Sequence, residues 1–435
     1  MKVLHYALGF PPYRSGGLTR YVIDVAEEQS RQNIEVSMLW PGRISRSHKH
    51  IYIRKHQNYK QIINSYELCN ALPVVLDRQV SDPEAFICST NEEYYISFLK
   101  KIMPDVIHIH TLQGIHQEFI NAARYLNIPT VFTTHDFFGL YPMNAVYPMD
   151  HNLSDYECSV INKNAPSIRY LNLMQSPIVR YAKSSIFLRN FFSRIRNQKK
   201  QIDQSDNLVN VKVKPYHIFR QYIIDLIEQI DCILYNSTVA KSAYERYCQP
   251  RASMFLSITH SNLPQKRQYS WKNDRLNIAY VGGDRPYKGL DFLLEAFKQL
   301  EKSKYQLNIY GVAGKNTNNI LYHAKYNNFE EAMRKTDLLV VPSLTYESFG
   351  FVVLESISYG LPVIISDVVG AKDLFLGHEE YIFKNGDISD LICHLSQPIT
   401  SYNPINIDDN FDIIQHCQRL KEIYQLYIEG KHDII

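Results

Sequence analysis

The sequence predicts an α/β protein of two domains, each a parallel β-sheet covered by helices on both faces. Short, almost continuously apolar runs alternate with amphipathic stretches, which is the pattern of strands buried in a parallel sheet. The alternation stops in a polar stretch at 259–275 and then begins again, which predicts a linker there. A length of 435 residues suits two or three domains.

The first domain is predicted over 1–260 and the second over 275–408, followed by a helix within 409–435 that crosses back to the first domain. Predicted strands are the short apolar runs at 2–8, 34–40, 106–110, 130–134, 232–236, 276–283, 306–311, 337–343 and 361–366. Predicted helices have apolar residues three or four apart, at 18–31, 116–126, from 238, at 290–300, from 350 and from 413.

Composition excludes several classes of protein. An apolar share of 45% excludes a disordered chain, and no apolar run reaches the length of about 18 residues that spans a membrane. The net charge of +3 is nearly neutral for this length, so nucleic acid is not expected as a partner. The first residues lack a signal-peptide cleavage site, and the seven cysteines have no close pairs. We therefore expect free thiols and a cytoplasmic protein.

A basic segment within 165–220 fits neither domain's alternation. Nine Lys or Arg and two Asp lie in 183–220, and Phe187, Phe191 and Ile195 recur every four residues. The pattern predicts a basic amphipathic helix, and helices of this kind can lie on anionic membranes. Three interpretations stay open: packing of the aromatic face on its own domain, contact with a membrane, and RNA binding.

The most informative motif is YESFGFVVLE, at 346–355. Glu347 lies in a loop after an apolar strand, Phe349 and Gly350 begin a helix, and Glu355 lies about a turn and a half inside it. Two other glutamate pairs have this spacing, but only this pair spans a predicted helix start after a strand. The free amides of a helix N-terminus attract a diphosphate. A carboxylate among apolar neighbours needs partners, and ribose hydroxyls are suitable donors.

The wider segment PSLTYESFGFVVLESISYGLPVIISD resembles the signature of retaining GT-B glycosyltransferases of family 4. Further stretches are similar to that family in the same order along the chain, at 9–22, 104–114, 133–142 and 231–247. The resemblance is weakest at 41–100, 143–220 and beyond 375. It implies the GT-B fold, in which two Rossmann-like parallel-sheet domains face a cleft, with acceptor binding in the first domain and nucleotide-sugar binding in the second.

The resemblance implies roles for residues of the first domain. The backbone at Gly16 and Gly17 would approach the donor phosphates or the acceptor. His135 would lie beside the transferred sugar, hold a sugar hydroxyl and contribute to catalysis and acceptor binding. Asp136 would orient that loop on the acceptor side.

In the second domain, Glu347 would contact the sugar hydroxyls and take part in catalysis, with Ser348 beside it. The amides of Phe349 and Gly350 would bind the sugar and the distal phosphate, and Glu355 would hold the donor's ribose.

One motif departs from the family pattern. In VGGDRPYKGLD (281–291), Lys288 stands where the family has its lysine, but Arg285 falls two or three residues later than the usual arginine. Both cations are expected to neutralise the diphosphate leaving group, with Arg285 turning in from the loop.

The implied reaction moves a hexose from a nucleoside diphosphate sugar, expected to be a UDP-sugar, to an acceptor hydroxyl with retention. The expected acceptor is a glycan or polyprenol-linked sugar of capsule, exopolysaccharide or surface polysaccharide, reached at the inner membrane face. A non-catalytic GT-B subunit that binds a glycan or a partner enzyme is the alternative, supported by the displaced Arg285. An epimerase or phosphorylase of the same fold is a third reading.

No cofactor and no metal are expected. The histidines of HIH (108–110) and the nearby His116 suggest a metal site. However, the first two are expected to point to opposite faces of a strand or to flank a buried residue, and no carboxylate or cysteine completes a ligand set. A GxxxxGK[ST] phosphate loop and a Ser-His-Asp order are both absent from the sequence.

Overall fold

The computed structural model describes residues 1–45, 50–76, 79–142, 152–176, 179, 212–264, 266, 275–326, 328–396 and 411–430. The basic segment predicted over 183–220 therefore lies outside the described residues as far as residue 211.

Residues of the first half form an eight-stranded sheet. Its strands are β1 (Lys2–Tyr6), β2 (Glu35–Pro41), β3 (Tyr52–Tyr59), β4 (Ile63–Cys69), β5 (Val106–Ile109), β6 (Thr130–Thr133), β7 (Cys232–Tyr235) and β8 (Ser253–Phe255). Their spatial order is β3-β4-β2-β1-β5-β6-β7-β8, with all neighbours parallel except β3 and β4. Without the two outer strands, this is the 3-2-1-4-5-6 order of Rossmann sheets.

A six-stranded sheet follows in the second half. Its strands are β9 (Leu276–Val281), β10 (Tyr305–Tyr310), β11 (Ile320–His323), β12 (Leu338–Val341), β13 (Val363–Ser366) and β14 (Ile382–Phe383). They are all parallel in the order β11-β10-β9-β12-β13-β14, again the Rossmann order. The prediction of two Rossmann-like parallel sheets is confirmed.

Helices pack on both faces of each sheet. Around the first they are α1 (Gly17–Arg31), α2 (Glu93–Ile102), α3 (Gln117–Tyr125), α4 (Asp155–Ile161), α5 (Ile168–Met174), α6 (Tyr216–Gln229) and α7 (Thr238–Glu245). Around the second they are α8 (Leu290–Lys298), α9 (Phe329–Met333), α10 (Phe351–Tyr359) and α11 (Ile388–Leu395).

The last helix, α12 (Ile413–Ile428), packs against α1 on the first sheet. Its buried face includes Cys417, Leu420 and Tyr424, and it shares one apolar core with Tyr21 and Val22 of α1. Two buried residues of the second half, Phe349 and Leu354, join that same core. The apolar core therefore runs continuously from one half of the chain into the other.

The structure corrects one part of the basic-segment prediction. Arg220, counted as a cation of the amphipathic face, is buried in α6. Its guanidinium donates to the carbonyls of Leu140 at 2.9 Å and Leu153 at 3.1 Å. These bonds satisfy backbone groups inside the first half, so Arg220 is not available to a membrane or RNA.

Among the described residues, no helix has both the length and the apolar character needed to span a bilayer. All seven cysteines are free.

Candidate active site between the two sheets

The predicted site residues lie at the topological switch point of each sheet, where the order of successive strands reverses. In the second sheet, β9 and β12 are neighbours and the chain leaves them in opposite directions. Ligands of open α/β sheets bind at the carboxyl ends of such strands. The loop after β9 carries Lys288, and the loop after β12 carries Glu347.

These two loops pack closely because one position is glycine. Gly289 has a φ of 73°, and a Cβ built on it would lie 1.7 Å from the carbonyl oxygen of Pro342. No other residue could occupy this position without moving one of the loops. As a result Lys288 Nζ lies 2.8 Å from Glu347 Oε1.

Glu347 is held from both sides. Ser343 Oγ donates to its Oε2 at 2.8 Å, while Lys288 binds its Oε1. Burial would raise the pKa of Glu347, but the charge of Lys288 and the hydrogen bonds from Lys288 and Ser343 outweigh it, so the pKa is lowered. Glu347 is therefore an anion at neutral pH, and each oxygen retains a lone pair for a further donor.

Residues of the first half close the other side of the site. Ser348 Oγ donates to the carbonyl of His135 at 2.7 Å, which joins the loop after β12 to the loop after β6. A cavity of about 170 Å³ lies between them. It is lined by His135, Asp136, Phe137, Tyr287, Lys288, Ser343, Thr345, Tyr346, Glu347 and Ser348. Cavities for drug-sized ligands measure roughly 300–1,000 Å³, so this one has room for only part of a nucleotide sugar.

The surroundings of His135 and Asp136 favour the uncharged form of each side chain. Burial lowers the pKa of His135 to about 3, so its imidazole is uncharged at neutral pH. Burial also raises the pKa of Asp136 above its ordinary value, although hydrogen bonds from Phe138, Gln113 and Thr111 oppose that effect. The Asp136 carboxylate thus accepts hydrogen bonds from residues on its own side of the cavity, including the Phe138 N–H at 3.0 Å.

The predicted glycine loop, at Gly16 and Gly17, contacts the first residue of α10. Gly16 precedes α1 with a φ of 117°, and a Cβ on Gly17 would lie 3.0 Å from the ring of Phe351. Gly350, with a φ of 105°, caps the start of α10. Neither α1 nor α10 has a side-chain hydrogen bond at its N-cap, so the first-turn amides of both helices remain available to an anion.

Glu355 has protein partners that sequence reasoning missed. Arg20 Nη1 of α1 lies 2.8 Å from Glu355 Oε1, and His260 Nε2 lies 3.2 Å from the same oxygen. Within the described part of the chain, Oε2 of Glu355 has no hydrogen-bond partner. The carboxylate is therefore oriented through one oxygen and can accept a ligand hydroxyl at the other. Helical spacing could not reveal Arg20 and His260, which lie 335 and 95 positions away.

Arg285 does not reach the cavity. It precedes a short 3-10 turn, Pro286–Lys288, and is exposed. It is absent from the residues that line the cavity, whereas Lys288, three positions later, lines it.

Of the two geometries expected for the HIH histidines, opposite faces is wrong, and His108 and His110 instead flank the buried Ile109. Residues two apart on a strand share a face, and the rings of His108 and His110 lie 4.0 Å apart. His5, on neighbouring β1, joins them, and ligand atoms of the three fall within 4.8 Å of one another. Each of their six ring nitrogens is hydrogen bonded to a protein group, however, by contacts to Gln29, Tyr424, Thr133 and His135 and by the contact between His5 and His110.

A second and larger cavity, of about 610 Å³, opens beside the glycine loop. Aromatic residues line it, namely Phe10, Tyr13, Trp40 and Tyr59. Its polar wall is the carboxylate of Glu67, which is buried and accepts from His56 Nε2 at 2.7 Å and from the Arg43 backbone N–H at 2.8 Å. This cavity depends on the β3–β4 hairpin, which the sequence did not predict because β3 lacks an apolar face.

Comparison with known proteins shows two family matches. The family described as glycosyl transferases group 1 matches residues 262–404, and glycosyltransferase family 4 matches residues 15–156. Each match falls on one of the two sheets, and between them they cover about two thirds of the chain.

Two individual proteins are also similar to the chain in sequence. The chain is 28% identical over 171 residues to an uncharacterized 41.2 kDa protein in the cps region of Klebsiella pneumoniae, covering 34% of this chain and 46% of that protein. It is 21% identical over 494 aligned positions to a glycogen synthase of Fusobacterium nucleatum, covering 99% of this chain and 100% of that protein.

Solved structures are similar over nearly the whole chain. Sucrose-phosphate synthase of Thermosynechococcus elongatus has a TM-score of 0.53 at 13% identity, covering 100% of this chain and 98% of that one. Anabaena HepE in complex with UDP and glucose has a TM-score of 0.55 at 14% identity, covering 98% and 99%. At these identities the likeness shows the fold alone, and it confirms the predicted GT-B fold. With one family match on each sheet, the chain belongs to the group 1 and family 4 glycosyltransferases.

Proposed function

We propose that the protein is a retaining hexosyltransferase that uses a nucleoside diphosphate sugar. The observation that carries this proposal is the cavity between the two sheets, where the Lys288–Glu347 pair faces His135. In this proposal 1–260 is the acceptor domain, 275–408 is the donor domain, and the helix within 409–435 returns to the first. The HepE structure contains UDP and glucose, which supports a UDP-sugar as the donor.

The donor would extend from the cavity toward α10. Glu347 accepts hydrogen bonds from the sugar hydroxyls, and His135 binds a further hydroxyl. The amides at Ser348, Phe349 and Gly350 meet the sugar and the distal phosphate, and those at Gly16 and Gly17 approach the phosphates from the other side. Glu355 Oε2 holds the ribose.

Lys288 supplies the charge for departure of the diphosphate. Its ammonium has three N–H groups and gives one to Glu347, so two remain for phosphate oxygens. Arg285 is proposed to turn in from its exposed loop as a second cation. Positive charge placed at a leaving group lowers the barrier most when it meets charge that develops in the transition state.

The proposed chemistry occurs on one face of the sugar. The bond from the anomeric carbon to the phosphate oxygen breaks, and the acceptor oxygen forms its bond on the same side. The acceptor proton goes to the departing phosphate oxygen, and a nucleoside diphosphate leaves. Retaining hydrolases use a free carboxylate as nucleophile. Here Asp136 and Glu347 line the cavity, and protein hydrogen bonds orient both carboxylates, so we propose that neither acts as the nucleophile. We propose that no metal takes part, because the ring nitrogens of the His5, His108 and His110 cluster are already hydrogen bonded.

A glycan acceptor would occupy the larger cavity. Its aromatic walls offer surfaces on which sugar rings stack, and Glu67, His56 and Arg43 offer hydrogen bonds. The loop from Phe10 to Gly17 connects it to the start of α10. The cps-region relative supports an acceptor in surface polysaccharide synthesis. The basic residues of 183–200 support a lipid-linked acceptor at an anionic inner membrane face.

A donor panel tests the proposal. The protein is incubated with UDP-, GDP- and ADP-hexoses without acceptor, and release of nucleoside diphosphate is measured. We expect slow hydrolysis of one donor, and an acceptor screen with that donor then gives a product of the donor's anomeric configuration by proton NMR. If no nucleotide sugar binds or turns over, the enzyme proposal is wrong and a non-catalytic GT-B subunit becomes the better description.

A further inference from the structure

A chain of hydrogen-bonded side chains connects the interior of the first half to His135. His5 Nε2 lies 2.8 Å from Gln29 Oε1, and His5 Nδ1 lies 2.9 Å from His110 Nε2. His110 Nδ1 then meets His135 Nε2 at 3.4 Å. Gln29, His5 and His110 are fully buried, so water does not compete for these bonds.

The end of the chain at Gln29 decides which nitrogen carries each proton. A carbonyl oxygen only accepts, so His5 donates from Nε2. A neutral imidazole has one N–H, so His5 Nδ1 accepts and His110 donates from Nε2. By the same argument His110 Nδ1 accepts, and His135 donates from Nε2. Burial lowers the pKa of His5 to about 4 and that of His135 to about 3, so the rings are neutral as this argument requires.

The amide of Gln29 also belongs to a second branch. Its amide Nε2 donates to Tyr424 Oη at 3.3 Å, and that hydroxyl lies 2.6 Å from His108 Nδ1. His108 Nε2 in turn lies 2.8 Å from Thr133 Oγ1. A rotated Gln29 amide would present N–H groups to His5 and reverse every proton in the chain to His135.

The remaining nitrogen of His135 belongs to the active-site cavity. His135 lines that cavity. Within the described residues its Nδ1 has no hydrogen-bond partner. This nitrogen is accessible from the cavity and is not a buried atom without a partner. A bare Nδ1 can accept a hydrogen bond but cannot give one.

We propose that Gln29, acting through His5 and His110, is a positioning residue that holds His135 as the Nε2–H tautomer and so makes its cavity-facing Nδ1 a hydrogen-bond acceptor. The group it recognises is then a hydroxyl of the sugar, and carbonyl or phosphate oxygens, which only accept, are refused at this point. This inference rests on the proposed function for the identity of the ligand, but the tautomer itself does not depend on it.

The test is nitrogen NMR of the full-length protein with ¹⁵N-labelled histidine. The chain has 16 histidines, and the His135 signals are assigned by their loss in His135→Ala. We expect the wild-type protein to show a protonated Nε2 and a bare Nδ1 at His135. A protonated Nδ1, or a doubly protonated ring at neutral pH, would overturn the proposal without any variant.

Two substitutions test the chain behind it. His5→Phe and Gln29→Leu each remove a link and should let the other His135 tautomer appear. His116→Phe is the matched control, because it replaces another buried histidine, which bonds to Tyr95 Oη at 2.8 Å and lies outside both branches. An unchanged His135 spectrum in both His5→Phe and Gln29→Leu, with folding verified by circular dichroism, would refute the chain.

Kinetics separate this inference from the proposed function. With the donor found in the panel, His5→Phe should lower kcat/KM roughly three- to tenfold, the loss of one oriented hydrogen bond, while UDP affinity stays unchanged. A wild-type protein with the expected tautomer but no turnover would refute the proposed function alone. Normal turnover with the opposite tautomer would refute the positioning role alone.

Discussion

Arg20 of α1 and Glu355 of α10 form an ion pair between the two halves of the molecule, with 2.8 Å between Arg20 Nη1 and Glu355 Oε1. The Glu355 side chain is 12% exposed and that of Arg20 is 37% exposed. The pair therefore positions the carboxylate more than it stabilises the fold, since a partly exposed ion pair contributes little. By binding Glu355 Oε1, Arg20 orients the carboxylate so that Oε2 can accept a hydrogen bond from a ligand.

The first prediction concerns nucleotide affinity. Glu355→Ala should weaken UDP binding at least tenfold, because a hydrogen bond to a charged group contributes about 1.5–3 kcal/mol. Arg20→Ala should weaken it less, about threefold, because the carboxylate remains but loses its orientation. Calorimetric titration with UDP measures both. Arg31→Ala is the control, as it removes an exposed arginine from the same helix. Equal affinity in Glu355→Ala and the wild type would refute the ribose-binding role.

The second prediction concerns the two cations of the loop after β9. Lys288→Ala should lower kcat/KM about 100-fold, the usual cost of removing one group that stabilises transition-state charge. Arg285→Ala should cost about tenfold, because its side chain must first move from an exposed position. Lys298→Ala, on the exposed face of α8, should change nothing. A loss below twofold in Lys288→Ala would contradict the leaving-group role.

The third prediction is a fall in stability below pH 6.5. His5 and His416 are buried, which lowers the pKa of His5 to about 4 and that of His416 to about 3. In the unfolded chain they would protonate near pH 6.5, so the unfolded state binds more protons between these values. Stability is fully present above pH 6.5 and is lost as pH falls toward 4.

Each of these two histidines should cost about 2 kcal/mol of unfolding free energy at pH 5 relative to pH 7.5. Urea denaturation at both pH values measures the difference. His416→Gln should reduce the pH dependence by the contribution of one proton, whereas His50→Gln, at an exposed position, should not. A stability that is equal at pH 7.5 and pH 5 would show that the buried histidines protonate in the folded state.

The fourth prediction concerns the basic residues of 183–200. Full-length protein should float with vesicles that contain phosphatidylglycerol and stay behind with phosphatidylcholine vesicles, and high salt should reverse binding. Replacement of Arg194, Arg196, Lys199 and Lys200 by glutamine should abolish flotation. Flotation that does not depend on anionic lipid would contradict binding through these cations, and no flotation with either vesicle would favour packing of this segment on its own domain.

The sequence was sufficient for the parallel sheets and for the motif residues that follow their strands. Apolar runs located β1, β5, β9 and β12, and a glutamate spacing placed Glu347 and Glu355 around a helix start. The contact between Lys288 and Glu347 also follows from the Rossmann order, which makes β9 and β12 neighbours.

Other parts of the site depend on contacts that no local pattern encodes. Arg20 meets Glu355 only because α1 and α10 begin side by side. His108 and His110 lie on the same face of β5, and strand alternation could have predicted this. The contact of His5 with these two histidines, by contrast, requires the pairing of β1 with β5. The β3–β4 hairpin has polar, half-exposed positions and gave no strand signal.

The central claim is that the cavity between the sheets performs glycosyl transfer through Glu347. Nucleoside diphosphate release from the best donor of the panel should be at least 100-fold slower in Glu347→Gln than in the wild type. Glu379→Gln, an exposed glutamate of the same half, should retain full activity. Equal rates in the wild type and Glu347→Gln would contradict the claim.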